Sequence, residues 1–211
     1  IGSNHNGPFA SLTNVGRVRK VTLGSGMANV SPEATNMANG FVYDNESYYR
    51  EGLTLTLTDN LGTTSEGYTK HYYANGTDLN GSTTYTVNST DGDVTFTADC
   101  RSNGQSYAVN YVDANGTEHS TNAIPLDGSM TTLNGTYYVG ANITFTSTIT
   151  LNGNTTLILV NGKTMNVGTS DNRIPDEGIK GNKNRKHTLT IYGQSLDEDR
   201  SRSEERFSRN A

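Results

Sequence analysis

Residues 155–195 read TTLILVNGKTMNVGTSDNRIPDEGIKGNKNRKHTLTIYGQS, and the fold turns on how this stretch is read. Two short apolar runs, 155–160 and 163–167, are separated only by Asn161-Gly162. An Asn-Gly step serves a two-residue hairpin well, because both residues tolerate positive φ. The same closely spaced strands also suit successive faces of a coil. A Gly178-Ile179 step and a third apolar run, LTIYG at 189–193, favour the coil, as in the opening turns of a parallel β-solenoid. After Ser195 the pattern stops, and a run rich in Ser, Arg and Glu closes the sequence.

Upstream, residues 136–151 carry Ile143, Phe145, Ile149 and Leu151 at alternating positions, a period of two that turns one face to a core. Residues 53–58, LTLTLT, alternate strictly, so Leu53, Leu55 and Leu57 are expected inside and the three threonines outside. Strand signals begin at Val18 with VRKVTL and continue through FVYDNESYY, TKHYYANGTDL, TTYTVN and DVTFTAD. Asn75-Gly76 and Asn80-Gly81 sit where hairpin turns belong, and SYAVNYVDANGTEHST reads as a hairpin turning at Asn115-Gly116. No stretch has helical periodicity.

The chain has 211 residues, is 32% hydrophobic, lacks Trp and is rich in Gly, Asn and Thr. Such a composition suits thin sandwiches or solenoids rather than one thick core. A net charge of −5 with no basic stripe argues against nucleic acid as a partner. No apolar run reaches the roughly 20 residues that span a bilayer. Cys100, the single cysteine, excludes an internal disulfide, and no Cys/His spacing suggests zinc. The balance fits the surface of a bacterium. Ile1 in place of an initiating Met suggests a piece of a longer protein.

Residues 131–167, TTLNGTYYVGANITFTSTITLNGNTTLILVNGKTMNV, followed by GIK at 178–180 and LTIYGQS at 189–195, resemble the start of right-handed parallel β-helix, pectin-lyase-like domains in large surface proteins of gut bacteria. Residues 18–100 resemble internalin-type B-repeats or bacterial Ig-like repeats, through VTLGSG, EGLTLTLT, GYT, YANGTDLNGSTTYTV and DVTFTAD. YVDANGTEHST at 111–121 is similar to the connector between such parts.

The organisation expected is therefore all-β. Residues 1–17 are a linker, 18–100 a small antiparallel sandwich-like module, and 101–125 a connector hairpin. Residues 126–195 are the truncated first coils of a parallel β-helix, with apolar edges such as Leu189 and Ile191 left exposed. Residues 202–211, RSEERFSRNA, resemble the in-frame translation of a sequencing adapter over ten consecutive positions. A metagenomic origin and a non-native tail over 196–211 follow; a charged helix capped by Ser195 with Glu198 is the alternative.

The resemblance implies a non-enzymatic segment of an extracellular, cell-surface protein, a spacer or adhesin-like piece contacting glycans or host surface proteins. The alternative is an accessory N-terminal region of a β-helix polysaccharide lyase or glycoside hydrolase. No catalytic, cofactor or metal residues stand out. His5, His71, His119 and His187 lie in separate segments without partners at catalytic or metal-binding spacing. Asp171, Asp176 and Glu177 could offer oxygen ligands to Ca²⁺, but they match no EF-hand and lie beside Arg173 and Lys180, so a solvated loop face is the simpler reading. Tyr48-Tyr49, Tyr72-Tyr73 and Tyr137-Tyr138 are adjacent pairs. In a strand one member of each pair faces outward, where it can stack on a sugar ring or anchor a protein contact. Tyr48, Tyr49, Tyr72 and Tyr73 are the ligand-contact candidates, set against the ordinary preference of tyrosine for strands.

Overall fold

The computed structural model describes residues 17–32, 40–168, 178–181 and 185–195. Among them every regular element is a β-strand. No helix among these residues is long and apolar enough to cross a membrane. The chain forms two compact units, residues 1–60 with 70–99 and residues 61–69 with 100–211. The expected linker (1–17) apart from Arg17, the Asp171–Asp176–Glu177 cluster and the tail (196–211) lie outside the described residues.

The first unit opens with β1 (Val18–Leu23), β2 (Met27–Pro32), β3 (Gly40–Tyr43), β4 (Glu46–Arg50) and β5 (Thr54–Asp59). β6 (Tyr68–Ala74), β7 (Thr77–Asp78), β8 (Thr84–Thr86) and β9 (Val94–Ser102) follow. They form a six-stranded sheet in the order β3-β4-β1-β9-β6-β7 and a three-stranded sheet β2-β5-β8. Leu53, Leu55 and Leu57 are buried as their alternation requires. Tyr85 of the smaller sheet meets Phe96 of the larger edge-to-face at 5.2 Å.

Three local expectations need correction. FVYDNESYY is two strands, because Asp44 and Asn45 both take positive φ (51° and 62°) and close a hairpin between β3 and β4. Asn75-Gly76 closes the hairpin β6–β7, but Asn80-Gly81, also at positive φ, carries the chain from one sheet to the other. The larger sheet is mixed, since β1 runs parallel to β9 through Val21–Val94 and Leu23–Phe96.

The second unit holds β10 (Tyr107–Val112), β11 (Glu118–Pro125), β12 (Thr132–Val139) and β13 (Ile143–Phe145). β14 (Ile149–Leu159), β15 (Met165–Val167), β16 (Ile179–Gly181) and β17 (Leu189–Gly193) complete it. β12, β14 and β17 are parallel neighbours, with Val139 opposite Leu159 and Leu159 opposite Gly193. β13 and β15 form a second parallel pair, and β16 lies parallel to the start of β14. β14 and β15 belong to different sheets, so Asn161-Gly162 turns a corner and closes no hairpin. β10 and β11 do form a hairpin, through a five-residue loop in which Asp113 accepts the N–H groups of Asn115 and Thr117.

Both faces of β14 are covered. Leu151 and Leu157 are buried along with Leu133, Val139, Phe145 and Ile149. On the opposite face Tyr138 and Ile158 cluster with Val109 and Ala123 of the β10–β11 hairpin. That hairpin joins the parallel sheet at both ends: Ile124 and Pro125 pair with Tyr137 and Tyr138, and Val112 pairs with Gly193. Residues 101–125 therefore contribute two strands to the second unit rather than only bridging to it. Leu189 and Ile191 are half-buried on β17.

Leu157 is 1% exposed and Val42 72%. Leu157→Ala is expected to cost about 2–5 kcal/mol in urea unfolding, through lost transfer energy and the cavity left behind. Val42→Ala should stay within about 0.5 kcal/mol; equal effects would contradict the burial pattern.

Candidate functional site

Two of the three tyrosine pairs, Tyr48-Tyr49 and Tyr72-Tyr73, lie on two strands of the first unit's larger sheet. β4 and β6 are separated by β1 and β9, which places the pairs about 14 Å apart at normal strand spacing. Tyr48 stacks on Phe41 at 5.2 Å, and its hydroxyl donates to Glu46 at 2.7 Å. The Lys20 ammonium, then that hydroxyl, hold the Glu46 carboxyl below the usual range. Tyr49 is half-buried and donates to the Val30 carbonyl at 3.4 Å. Tyr72 is buried, with its hydroxyl on Asp59, and offers no ring face to a ligand. Tyr73 is half-buried, stacks on His71 and donates to Asp99 at 3.0 Å. The four tyrosines do not converge on one site.

The histidines do not converge either. His71 pairs with Asp78 at 2.8 Å and His119 with Asp113 at 3.0 Å. The His119 bond is the main reason that the Asp113 carboxyl titrates low. Among the described residues no three His, Cys, Asp or Glu side chains are grouped to hold a metal ion.

Concave surface appears instead in the second unit, as a cleft of about 210 Å³. Strand β10 lines it with Tyr107, Ala108, Val109 and Asn110, and Ser65, Glu66, Tyr138, Val160 and Gln194 complete it. One wall exists because two tyrosines exchange bonds. The Tyr68 hydroxyl shares its proton between the carbonyls of Leu126 (2.7 Å) and Tyr138 (2.9 Å), and it accepts the Gly140 N–H at 3.1 Å. The Tyr138 hydroxyl donates back to the Glu66 carbonyl. The rings meet edge-to-face at 5.8 Å. A further bond runs from Ser65 N–H to the Gly140 carbonyl at 2.8 Å.

Gly67, at φ 87°, turns the chain within this wall, where an added Cβ would come within 2.6 Å of Tyr107 and 2.7 Å of Pro125. On the far side Gln194 Oε1 accepts the Asn161 N–H at 3.3 Å, and the Asn103 amide donates to the Tyr107 hydroxyl at 2.6 Å. Of these lining residues sequence reading weighs only Tyr138 for ligand contact, as a member of the Tyr137-Tyr138 pair, and does not place it among the four candidates. Residues 107–110 and 194 lie in stretches marked only as strands, too far apart in sequence for a local pattern to join them.

Compared with family models, curated proteins and solved structures, the chain matches none.

Burial pushes the Tyr68 phenol well above its usual range, and the Tyr138 phenol up to about 12, with the nearby Tyr107 and Glu66 adding to the second shift. Both must stay protonated in the folded unit, so the stability that they contribute is complete below about pH 10 and is lost as pH rises through about 12. Alkaline unfolding followed by tyrosinate absorbance should show that loss. Tyr68→Phe should flatten the dependence and cost about 1–3 kcal/mol at neutral pH, by stranding buried backbone groups. An unchanged alkaline limb in the variant would count against the exchange of bonds.

Proposed function

We propose that the chain is a non-enzymatic segment of a bacterial cell-surface protein, extracellular, with a spacer-like first unit and an adhesin-like second unit that contacts glycans or host surface proteins. In this reading the first unit is a sandwich-like repeat module. The second begins a right-handed parallel β-helix strapped by the β10–β11 hairpin.

The observation that carries the reading is the parallel ladder β12–β14–β17 beside the parallel pair β13–β15. Strands that return in parallel, alternately to two sheets, are how stacked coils share one core, each coil burying its neighbour's apolar edge. Repeated stacking builds long, stiff surfaces suited to display and contact. The resemblances of residues 18–100 and 126–195 supply the bacterial-surface context.

Incubating the full chain with a polysaccharide panel that includes pectate should give no new reducing ends and no unsaturated products. The same chain printed against arrayed glycans and extracellular host proteins should be retained on at least one of them. Depolymerisation of any polysaccharide would sink the non-enzymatic reading, and no retention anywhere would remove the adhesin-like role.

A further inference from the structure

We propose that the cleft between β10 and residues 65–66 is a binding site for the terminal ring of a neutral saccharide. This deepens the glycan-contact reading above and rests on it.

Strand β10 pairs with β11 along its whole length, and among the described residues its other edge meets β17 at Val112–Gly193 alone. In an antiparallel pair successive residues direct their main-chain groups to opposite edges. With Val112 turned toward β17, Ala108 and Asn110 present N–H and C=O on that same edge, along the cleft. The hairpin thus opens a polar slot beside an apolar core of Val109, Tyr138 and Ile158.

The lining selects a chemical class. Among the described residues that line the cleft Glu66 is the one charged side chain, and none is Lys or Arg. An anionic ligand would meet a carboxylate with no compensating cation. An apolar ligand would strand the amides of Asn110 and Gln194 and the Ser65 hydroxyl, at the cost of their lost hydration. A ligand rich in hydroxyls, each both donor and acceptor, answers all of them. Gln194 keeps its Nε2 as donor because its Oε1 is engaged by Asn161. The Tyr107 ring, half-buried and oriented by Asn103, adds an aromatic face for the C–H side of a sugar. At about 210 Å³ the cleft is smaller than the roughly 300–1,000 Å³ of sites for larger ligands, so it matches one sugar ring rather than several.

The site is also pre-formed. The Tyr138–Glu66 and Ser65–Gly140 bonds hold one wall and the Gln194 N–H to Leu159 carbonyl bond holds the other. Little ordering is left for a ligand to drive, which favours binding by a small molecule.

The test is titration of the ¹⁵N-labelled full chain with methyl glycosides of neutral hexoses and N-acetylhexosamines, and with glucuronic and sialic acids as anionic probes. Neutral glycosides should shift the side-chain amides of Asn110 and Gln194, and the acids should not. Asn110→Ala combined with Gln194→Ala should weaken the neutral glycoside roughly tenfold, the loss of two neutral hydrogen bonds. Glu66→Gln should keep neutral binding within about threefold and narrow the gap to the acids. Tyr73→Ala, in the other unit, should change nothing. A dispersed amide spectrum verifies that each variant is folded.

If the array retains the chain but glycosides leave the cleft amides unmoved, or the double variant binds as the native chain does, the cleft assignment is overturned and the glycan-contact reading stands. If no glycoside and no arrayed glycan is bound, both fall together.

Discussion

The exchange of hydroxyl bonds between Tyr68 and Tyr138 is the constraint on which the second unit depends. Each phenol reaches backbone near the other, Tyr68 to residues 126, 138 and 140 and Tyr138 to residue 66, across about seventy residues of sequence. Burying two phenols would be costly if their hydroxyls went unmet. Here the groups that meet them are all backbone atoms, and two of them, the Tyr138 carbonyl and the Gly140 N–H, lie at the exit of β12, where the chain leaves one parallel sheet for the other. The pair therefore satisfies its own polar atoms and also fixes the corner. The same bonds hold residues 61–69 in the second unit, although the flanking residues 1–60 and 70–99 belong to the first.

The second consequence concerns the outer face of the parallel sheet. Tyr138, Ile158 and Tyr192 lie opposite one another on β12, β14 and β17, forming an apolar row on the face away from Leu157. Left open to water, that row would cancel much of what the buried face contributes. The β10–β11 hairpin covers it: Val109 and Ala123 enter the cluster, and Tyr111 lies 4.6 Å from Tyr192. In this chain the hairpin is thus part of the second core.

What could be read from the sequence is what depends on local pattern. Leu53, Leu55 and Leu57 alternate and are buried, and Asn75-Gly76 is a hairpin turn because both residues accept positive φ. Asp44-Asn45 carries the same chemistry but sits inside an apolar-aromatic run, where the strand signal concealed the turn. Residues 61–69 have no periodicity to mark their partners, since Ser65, Glu66 and Tyr68 bond to residues 126–140 and Thr63 and Gly67 to Lys163 and Asn103. Ile158 follows Leu157 directly. An apolar neighbour on each face signals a strand covered twice, but not which segment covers it. The cleft was illegible for a similar reason: its walls come from residues 65–66, 107–110, 138, 160 and 194, brought together only by the parallel return of the chain.

The cleft and the strap have one origin. A hairpin that paired with β17 along its full edge would continue the sheet and leave no opening. A hairpin that missed β17 altogether would leave the apolar row uncovered. Among the described residues one bridge, Val112–Gly193, gives neither extreme, because it anchors β10 at its turn end. At the other end of β10 Gly67 lets the chain at residues 65–67 approach closely, since any side chain there would collide with Tyr107 and Pro125. Stability asks the hairpin to stay close at Val109, and the opening asks it to stand away at Ala108 and Asn110. The two-residue period of a strand reconciles these demands in part: Val109 and Tyr107 serve both the core and the cleft, while Ala108 and Asn110 are exposed and line the cleft without entering the core.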